Sequence, residues 1–203
     1  MSINYTEAAF ARSKKYQTIR GNLRPSTHDT GAPDLSCFQS IVLKANGTVT
    51  AMLEAYFSEP IRVVKLSEKL DKMELKLPNI KLNQEEQVIA REVLLQGKMS
   101  RRNFIYADSL ILINNLDERF SSELLNTKIP IGKLWSAHKV ETFKEIIDSG
   151  VEPADELSNY FGITPEANLL FRTYSVSSQG KITMIITEKF PENYFWPQVP
   201  LVS

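Results

Sequence analysis

The sequence predicts an α+β fold built on one antiparallel sheet, and three observations lead there. Strand-like segments alternate apolar and polar residues, the longest of them are separated by hairpin-length turns, and helical segments are inserted between hairpins. Single strands alternating with helices would have indicated a parallel sheet instead.

Residues 1–40 read as an N-terminal arm and irregular loop, because 21–34 is dense in Gly, Pro, Asn, Asp, Ser and Thr. The apolar run Ile41-Val42-Leu43 ends at Asn46-Gly47. Thr48 or Thr50 is then placed to cap a short helix over 50–57, which Pro60 stops. Segments 62–66 and 73–77 alternate as strands with one buried face. The polar entry 83–86 leads to 88–95, and the turn 96–102 joins that segment to 103–113 as a hairpin. Helices are expected at 116–125 and 131–137, the second opened by Pro130 near its first turn. After 140–147 comes a turn-rich stretch, 150–155. A final hairpin then pairs 167–176 with 181–190 around 177–180. These elements make one domain over 41–195, with 196–203 as a Pro-rich tail.

Composition excludes several classes of function. The 203 residues carry 24 Lys and Arg against 24 Asp and Glu, interspersed along the chain, which is not the basic footprint of a nucleic-acid binder. Cys37 is the single cysteine, and His28 and His138 are the only histidines, so neither a thiolate zinc site nor a dense His/Cys cluster can form. Residues 1–20 lack the uninterrupted apolar core of a signal peptide or membrane span, and a cytoplasmic protein is expected. His28 and His138 read as surface or capping residues, and Arg101 and Arg102 as solvated. Asp108, on a face with Phe104, Tyr106, Leu110 and Leu112, fits either a cavity wall or a hydrogen bond to Tyr106 or the backbone.

Two charges fall on apolar faces. Strand periodicity groups Arg91 with Ile89, Val93 and Leu95, and Glu188 with Met184, Ile186 and Phe190. A buried unpaired guanidinium or carboxylate costs several kcal/mol, so each needs a partner. Either the two pair with each other or snorkel to water, or they face the two ends of one polar cavity. In the second case Arg91 grips a carboxylate and Glu188 accepts from a hydroxyl.

Four short motifs stand in one order: Gly47-Thr48-Val49-Thr50, Ala90-Arg91-Glu92-Val93-Leu94-Leu95, Ile129-Pro130-Ile131-Gly132-Lys133-Leu134, and Ile186-Thr187-Glu188-Lys189-Phe190-Pro191. In that order they resemble the chorismate lyase family, nearest to its chorismate-lyase-like branch, over roughly 41–195. The resemblance implies a single α+β domain whose antiparallel sheet and helical flaps close an internal ligand cavity. It also implies conversion of chorismate to 4-hydroxybenzoate and pyruvate without cofactor or metal, feeding quinone biosynthesis. The only partner implied is the small-molecule substrate, with no nucleic acid and no membrane span. By the same resemblance Arg91 and Glu188 are the catalytic pair, Arg91 on the ring carboxylate and Glu188 on the 4-oxygen. Val49 contacts the carboxylate through its backbone amide, and Ile131 contacts the ligand near a flap. The chain departs from the bacterial pattern near Asp108 and at Thr142-Phe143-Lys144, two places where those lyases carry an arginine. Lys144 and Arg172 are the candidates to restore that charge. The alternative from the same resemblance is a non-catalytic module of this fold that binds a small aromatic acid.

Overall fold

A computed structural model of the chain describes residues 35–73, 76–77, 80–81, 86–126, 129 and 131–195. The arm expected over 1–40 lies outside the described residues except at its end, where helix α1 (Cys37–Lys44) already begins. Its start is written locally. Ser36 Oγ accepts from the Gln39 amide at 3.2 Å, and the Gln39 side chain accepts from the Ser36 amide at 2.7 Å, a reciprocal capping box. The same Gln39 donates through Nε2 to the carbonyls of Glu192 and Tyr194, which ties α1 to the end of the described chain.

Helix α2 (Val49–Phe57) starts at Thr48, as expected, but no side chain caps it, and it ends at Ser58 in the left-handed region (φ 53°). Strand β1 (Ile61–Met73) takes up the first residue of the strand expected at 73–77. The rest of that segment contributes Lys76–Leu77 (β2), which pairs with Ile80–Lys81 (β3) in a separate two-stranded ribbon. The central hairpin is β4 (Glu86–Gly97) and β5 (Asn103–Leu112), as its alternation predicts. Helices α3 (Glu118–Asn126) and α4 (Ile131–Ala137) follow.

Strand β6 (Phe143–Pro153) runs on through the first four residues of the stretch expected to turn at 150–155. Gly150 and Val151 stay in register with Phe171 and Leu170. The turn begins only after Pro153, which as the last residue of an edge strand interrupts no ladder. A short helix α5 (Ser158–Phe161) precedes the closing hairpin of β7 (Asn168–Ser178) and β8 (Lys181–Pro191). Its loop is tighter than expected. Ser178 pairs with Lys181, leaving Gln179 (φ 52°) and Gly180 (φ 73°) as a two-residue turn whose positive φ values match the twist of the strands.

The six long strands order as β1-β4-β5-β8-β7-β6, every pair antiparallel. Two large apolar clusters build most of the core, with a smaller third of Val88, Leu112 and Ile185. One of the large two gathers Val42, Leu43 and Leu53 from α1 and α2 with Val93, Leu95 and Phe190. The other gathers Phe120, Leu124, Leu134 and Trp135 from α3 and α4 with Ile89, Met184 and Ile186. Along β4 the inward face passes from the second cluster at Ile89 to the first at Val93, and along β8 from Ile186 to Phe190. Arg91 and Glu188 occupy the step between them. A cavity opens along this seam.

Candidate functional site

A cleft with about 560 Å³ of empty space, part of it open to solvent, lies between the sheet and the N-terminal ends of α2 and α4. Val49, Arg91, Ile131 and Glu188, proposed from four separate motifs, all line it. Val49 is the first residue of α2 and Ile131 the first of α4. Apolar walls come from Val63, Val93, Leu95, Trp135 and Ile186.

The floor explains why there is space. Arg91 and Glu188 stand on β4 and β8, and between them β5 presents Ala107 and Ser109, two small residues where its neighbours are large. With strands ~4.8 Å apart, β4 and β8 are separated by roughly 10 Å. Register places Ser109 between Arg91 and Ile186, and Ala107 between Val93 and Glu188. Glu188 therefore does not pair with Arg91. Its partner is the residue directly across on β7, Arg172, whose Nε donates to Glu188 Oε2 at 2.7 Å, and the Tyr174 hydroxyl donates to Oε1 at 2.9 Å. Arg172 is 1% exposed and also donates through Nη1 to the Ala45 carbonyl at 2.9 Å, fixing the loop between α1 and α2. Burial and the adjacent Glu188 carboxylate push the Tyr174 phenol well above its usual range, so it remains a donor.

Arg172 leaves only Nη2 without a hydrogen bond among the described residues, whereas Arg91 lacks bonds at both Nε and Nη1 and has no counter-ion within hydrogen-bond reach. Arg91 is 2% exposed. Its nearest carboxylate oxygen is Glu68 Oε2 at 3.6 Å, beyond hydrogen-bond reach, and that oxygen too is unsatisfied while Oε1 is held by Lys65 at 2.7 Å. Burial lowers the Arg91 pKa and the nearby Glu68 only partly restores it. A guanidinium nonetheless stays charged at any physiological pH. The site therefore holds a buried cation with donors in reserve.

Lys144, from β6, supplies a second cation. It is nearly buried, donates to the Gly47 carbonyl at 3.1 Å, and lies 5.2 Å from the centres of both the Trp135 and Tyr174 rings. Burial lowers its pKa below the ordinary lysine value, an effect that Glu188 opposes and Arg172 reinforces. Of the two positions expected to restore positive charge, Lys144 lines the cavity and Arg172 acts from behind Glu188.

Helix α4 closes one side. A Cβ on Gly132 would stand 2.6 Å from Thr48 Cγ2, so only glycine lets the start of α4 rest on the residue that opens α2. An ion pair between Lys133 and Glu54 at 2.7 Å latches the same two helices at the surface.

Other sequence candidates fall elsewhere. Asp108 is not a cavity wall: it sits opposite Glu92 on the other face of the sheet, where it helps raise the Tyr106 phenol, because the inward face of β5 is the Ala107 and Ser109 face. The His138 ring is half-buried and meets Glu123 Oε2 at 2.5 Å, joining the end of α4 to α3. His28 lies outside the described residues. Arg101 and Arg102 are exposed, with the Arg102 guanidinium 4.0 Å above the Tyr194 ring. Sequence reading passed over Tyr174, Trp135 and Glu68. Tyr174 was accessible, since Leu170, Arg172, Tyr174 and Val176 form one alternating face of β7. Glu68 was not, because a bulge between Lys65 and Ser67 shifts the parity of β1 and sets Glu68 opposite Arg91.

Among the described residues no group of three His, Cys, Asp or Glu side chains could hold a metal ion, and no helix is long and apolar enough to cross a membrane.

Residues 43–196 match the family described as chorismate pyruvate-lyase Rv2949c-like. The chain is 30% identical over 158 residues to the chorismate pyruvate-lyase of Mycobacterium leprae, covering 76% of this chain and 74% of that protein. It is 29% identical over 162 residues to the chorismate pyruvate-lyase of Mycobacterium tuberculosis, covering 76% and 80%. Among solved structures it resembles PhnF from Mycobacterium smegmatis, with a TM-score of 0.56 and 9% identity, covering 71% of this chain and 64% of that chain. The effector domain of PhnF superposes with a TM-score of 0.55 and 10% identity, over 72% and 89%. At such identities these structures share the fold.

Proposed function

The chain belongs to the chorismate pyruvate-lyase Rv2949c-like family, and from that premise we propose that its cavity binds chorismate and eliminates enolpyruvate from it, releasing 4-hydroxybenzoate and pyruvate. The observation that carries this reading is Arg91, a buried guanidinium with unsatisfied donors set among the apolar walls of the chamber. A protein retains so costly an arrangement where a ligand completes it, and a carboxylate is the complement of a guanidinium fork.

Chorismate carries its ring carboxylate on C1, an enolpyruvyl ether on C3 and a hydroxyl on C4. When the C3–O bond breaks, its electron pair leaves with the enolpyruvate oxygen and C4 loses its proton, so the ring becomes aromatic. The enolpyruvate takes up a proton at its methylene carbon to give pyruvate. Atoms balance without a co-reactant, and aromatisation supplies the driving force.

What remains for the protein is positioning and electrostatics. Arg91 holds the carboxylate, assisted by the Val49 amide, which at the first position of α2 has no intrahelical acceptor. Glu188, fixed by Arg172 and Tyr174, keeps lone pairs free to accept from the 4-hydroxyl. Ala107 and Ser109 leave room for the ring, and Ile131 and Trp135 shield it from water. The released 4-hydroxybenzoate would feed quinone biosynthesis.

Purified protein incubated with chorismate, with no added metal or cofactor, should yield 4-hydroxybenzoate and pyruvate in equal amounts, and Glu188→Gln should reduce the rate toward background. Binding of 4-hydroxybenzoate with no conversion of chorismate by the unaltered protein would instead establish a non-catalytic binding module.

A further inference from the structure

Lys144 is a buried cation to which the elimination, as described so far, gives no task. Chorismate has two carboxylates, and Arg91 accounts for one. Resting on the proposed orientation, with the ring carboxylate at Arg91 and the 4-oxygen at Glu188, the C3 substituent must lie at the Glu188 end, because C3 adjoins C4. Lys144 is at that end. Its Nζ is 5.2 Å from the ring of Tyr174, whose hydroxyl bonds Glu188, and it lies 5.2 Å from the Trp135 ring of the cavity wall. Only one of its three ammonium protons is engaged by a hydrogen bond among the described residues, the one donated to the Gly47 carbonyl at 3.1 Å.

We propose that Lys144 forms a second anion subsite in the cavity, one that receives the carboxylate of a C3 substituent and so selects dianionic ligands over singly charged aromatic acids. The three-point arrangement fixes which way the substrate enters. Arg91 and Glu188 define the long axis of the ring but leave its two edges equivalent, and Lys144 on β6 marks the edge on which the leaving group sits. The same ammonium then faces the enolpyruvate as negative charge gathers on it, without any covalent change at Lys144.

Two stable aromatic probes separate this inference from the lyase reading, since neither can eliminate: 3-(1-carboxyethoxy)-4-hydroxybenzoate, a dianion, and 3-ethoxy-4-hydroxybenzoate, which lacks the second carboxylate. Calorimetry on the unaltered protein should show the dianion binding about 10-fold to 100-fold more tightly, the range for a charge-assisted hydrogen bond. Lys144→Met should erase that preference while holding the ethoxy probe within about 3-fold, and Lys144→Arg should retain part of it. Equal binding of the two probes by the unaltered protein overturns the subsite whether or not any variant folds. So does a preference that survives in Lys144→Met. Failure to convert chorismate with the preference intact would refute the lyase reading and leave the subsite standing.

Discussion

Two buried arginines, one lining the cavity and the other behind Glu188, should respond to the same substitution with opposite signs. Arg172 is 1% exposed, holds Glu188 at 2.7 Å and the Ala45 carbonyl at 2.9 Å. Replacing it with Met leaves Glu188 as a buried carboxylate held by Tyr174 alone among these bonds. Breaking a buried pair in this way costs about 3–5 kcal/mol. Arg91 is equally buried, but Nε and Nη1 bond to nothing described, and Glu68 stands off at 3.6 Å. Burial outweighs that attraction, since the Arg91 pKa is lowered rather than raised. The folded empty protein therefore bears a net cost for this charge, about 1–3 kcal/mol for an unsatisfied buried donor. Arg91→Met removes that cost and adds apolar contact beside Ile89 and Val93, so it should stabilise the empty protein by about 1–3 kcal/mol. Urea unfolding followed by tryptophan fluorescence measures both variants, and the two should differ by at least about 4 kcal/mol. If Arg91→Met destabilises the protein as much as Arg172→Met does, Arg91 is a structural residue and the cavity has no charge in reserve.

Gly132→Ala drives a methyl to 2.6 Å from Thr48 Cγ2 and must lift α4 from α2, which should cost about 1–3 kcal/mol and speed ligand dissociation in stopped-flow fluorescence. Lys133→Ala removes only an exposed latch and should change unfolding free energy by no more than about 1 kcal/mol in the same urea assay. Because Lys144 titrates below its ordinary 10.5 under burial and Arg172, affinity for the dianionic probe should fall as pH rises through that lowered pKa. In Lys144→Arg the dianionic probe should lose affinity at alkaline pH only as the ethoxy probe does, through ionisation of the 4-hydroxyl the two share. The sign for folding is reversed: the fold disfavours charged Lys144, so its contribution to stability rises with pH between the lowered pKa and 10.5.

How far the site could be read from sequence depended on which interactions were local. The inward placement of Arg91 and Glu188 follows from alternation along a single strand, and both lie at the seam of the core. Helix α4 begins and ends where its pattern says it should. The Arg172–Glu188 pair was beyond reach because it depends on the register between β7 and β8, and the expected four-residue loop there would have displaced it. A bulge with no sequence mark sets Glu68 opposite Arg91. The reading of β6 failed for a related reason: Gly150 and Pro153 signal a turn in isolation, yet pairing with β7 and the Lys189–Glu152 contact keep the strand extended to its end. Of the two readings of Asp108 only the cavity wall fails, since the residue lies on the Tyr106 face, and the choice was open because Phe104 to Ala107 are all buried and both faces of β5 are covered.

If Arg91 is held in reserve for the carboxylate of an aromatic acid, titration of 4-hydroxybenzoate into the unaltered protein and into Arg91→Met will separate the two. One ligand should bind per chain in the unaltered protein. No binding should be detectable in the variant, although it should be the more stable of the two; 4-hydroxybenzoate bound equally well by both would mean that Arg91 does not hold the carboxylate.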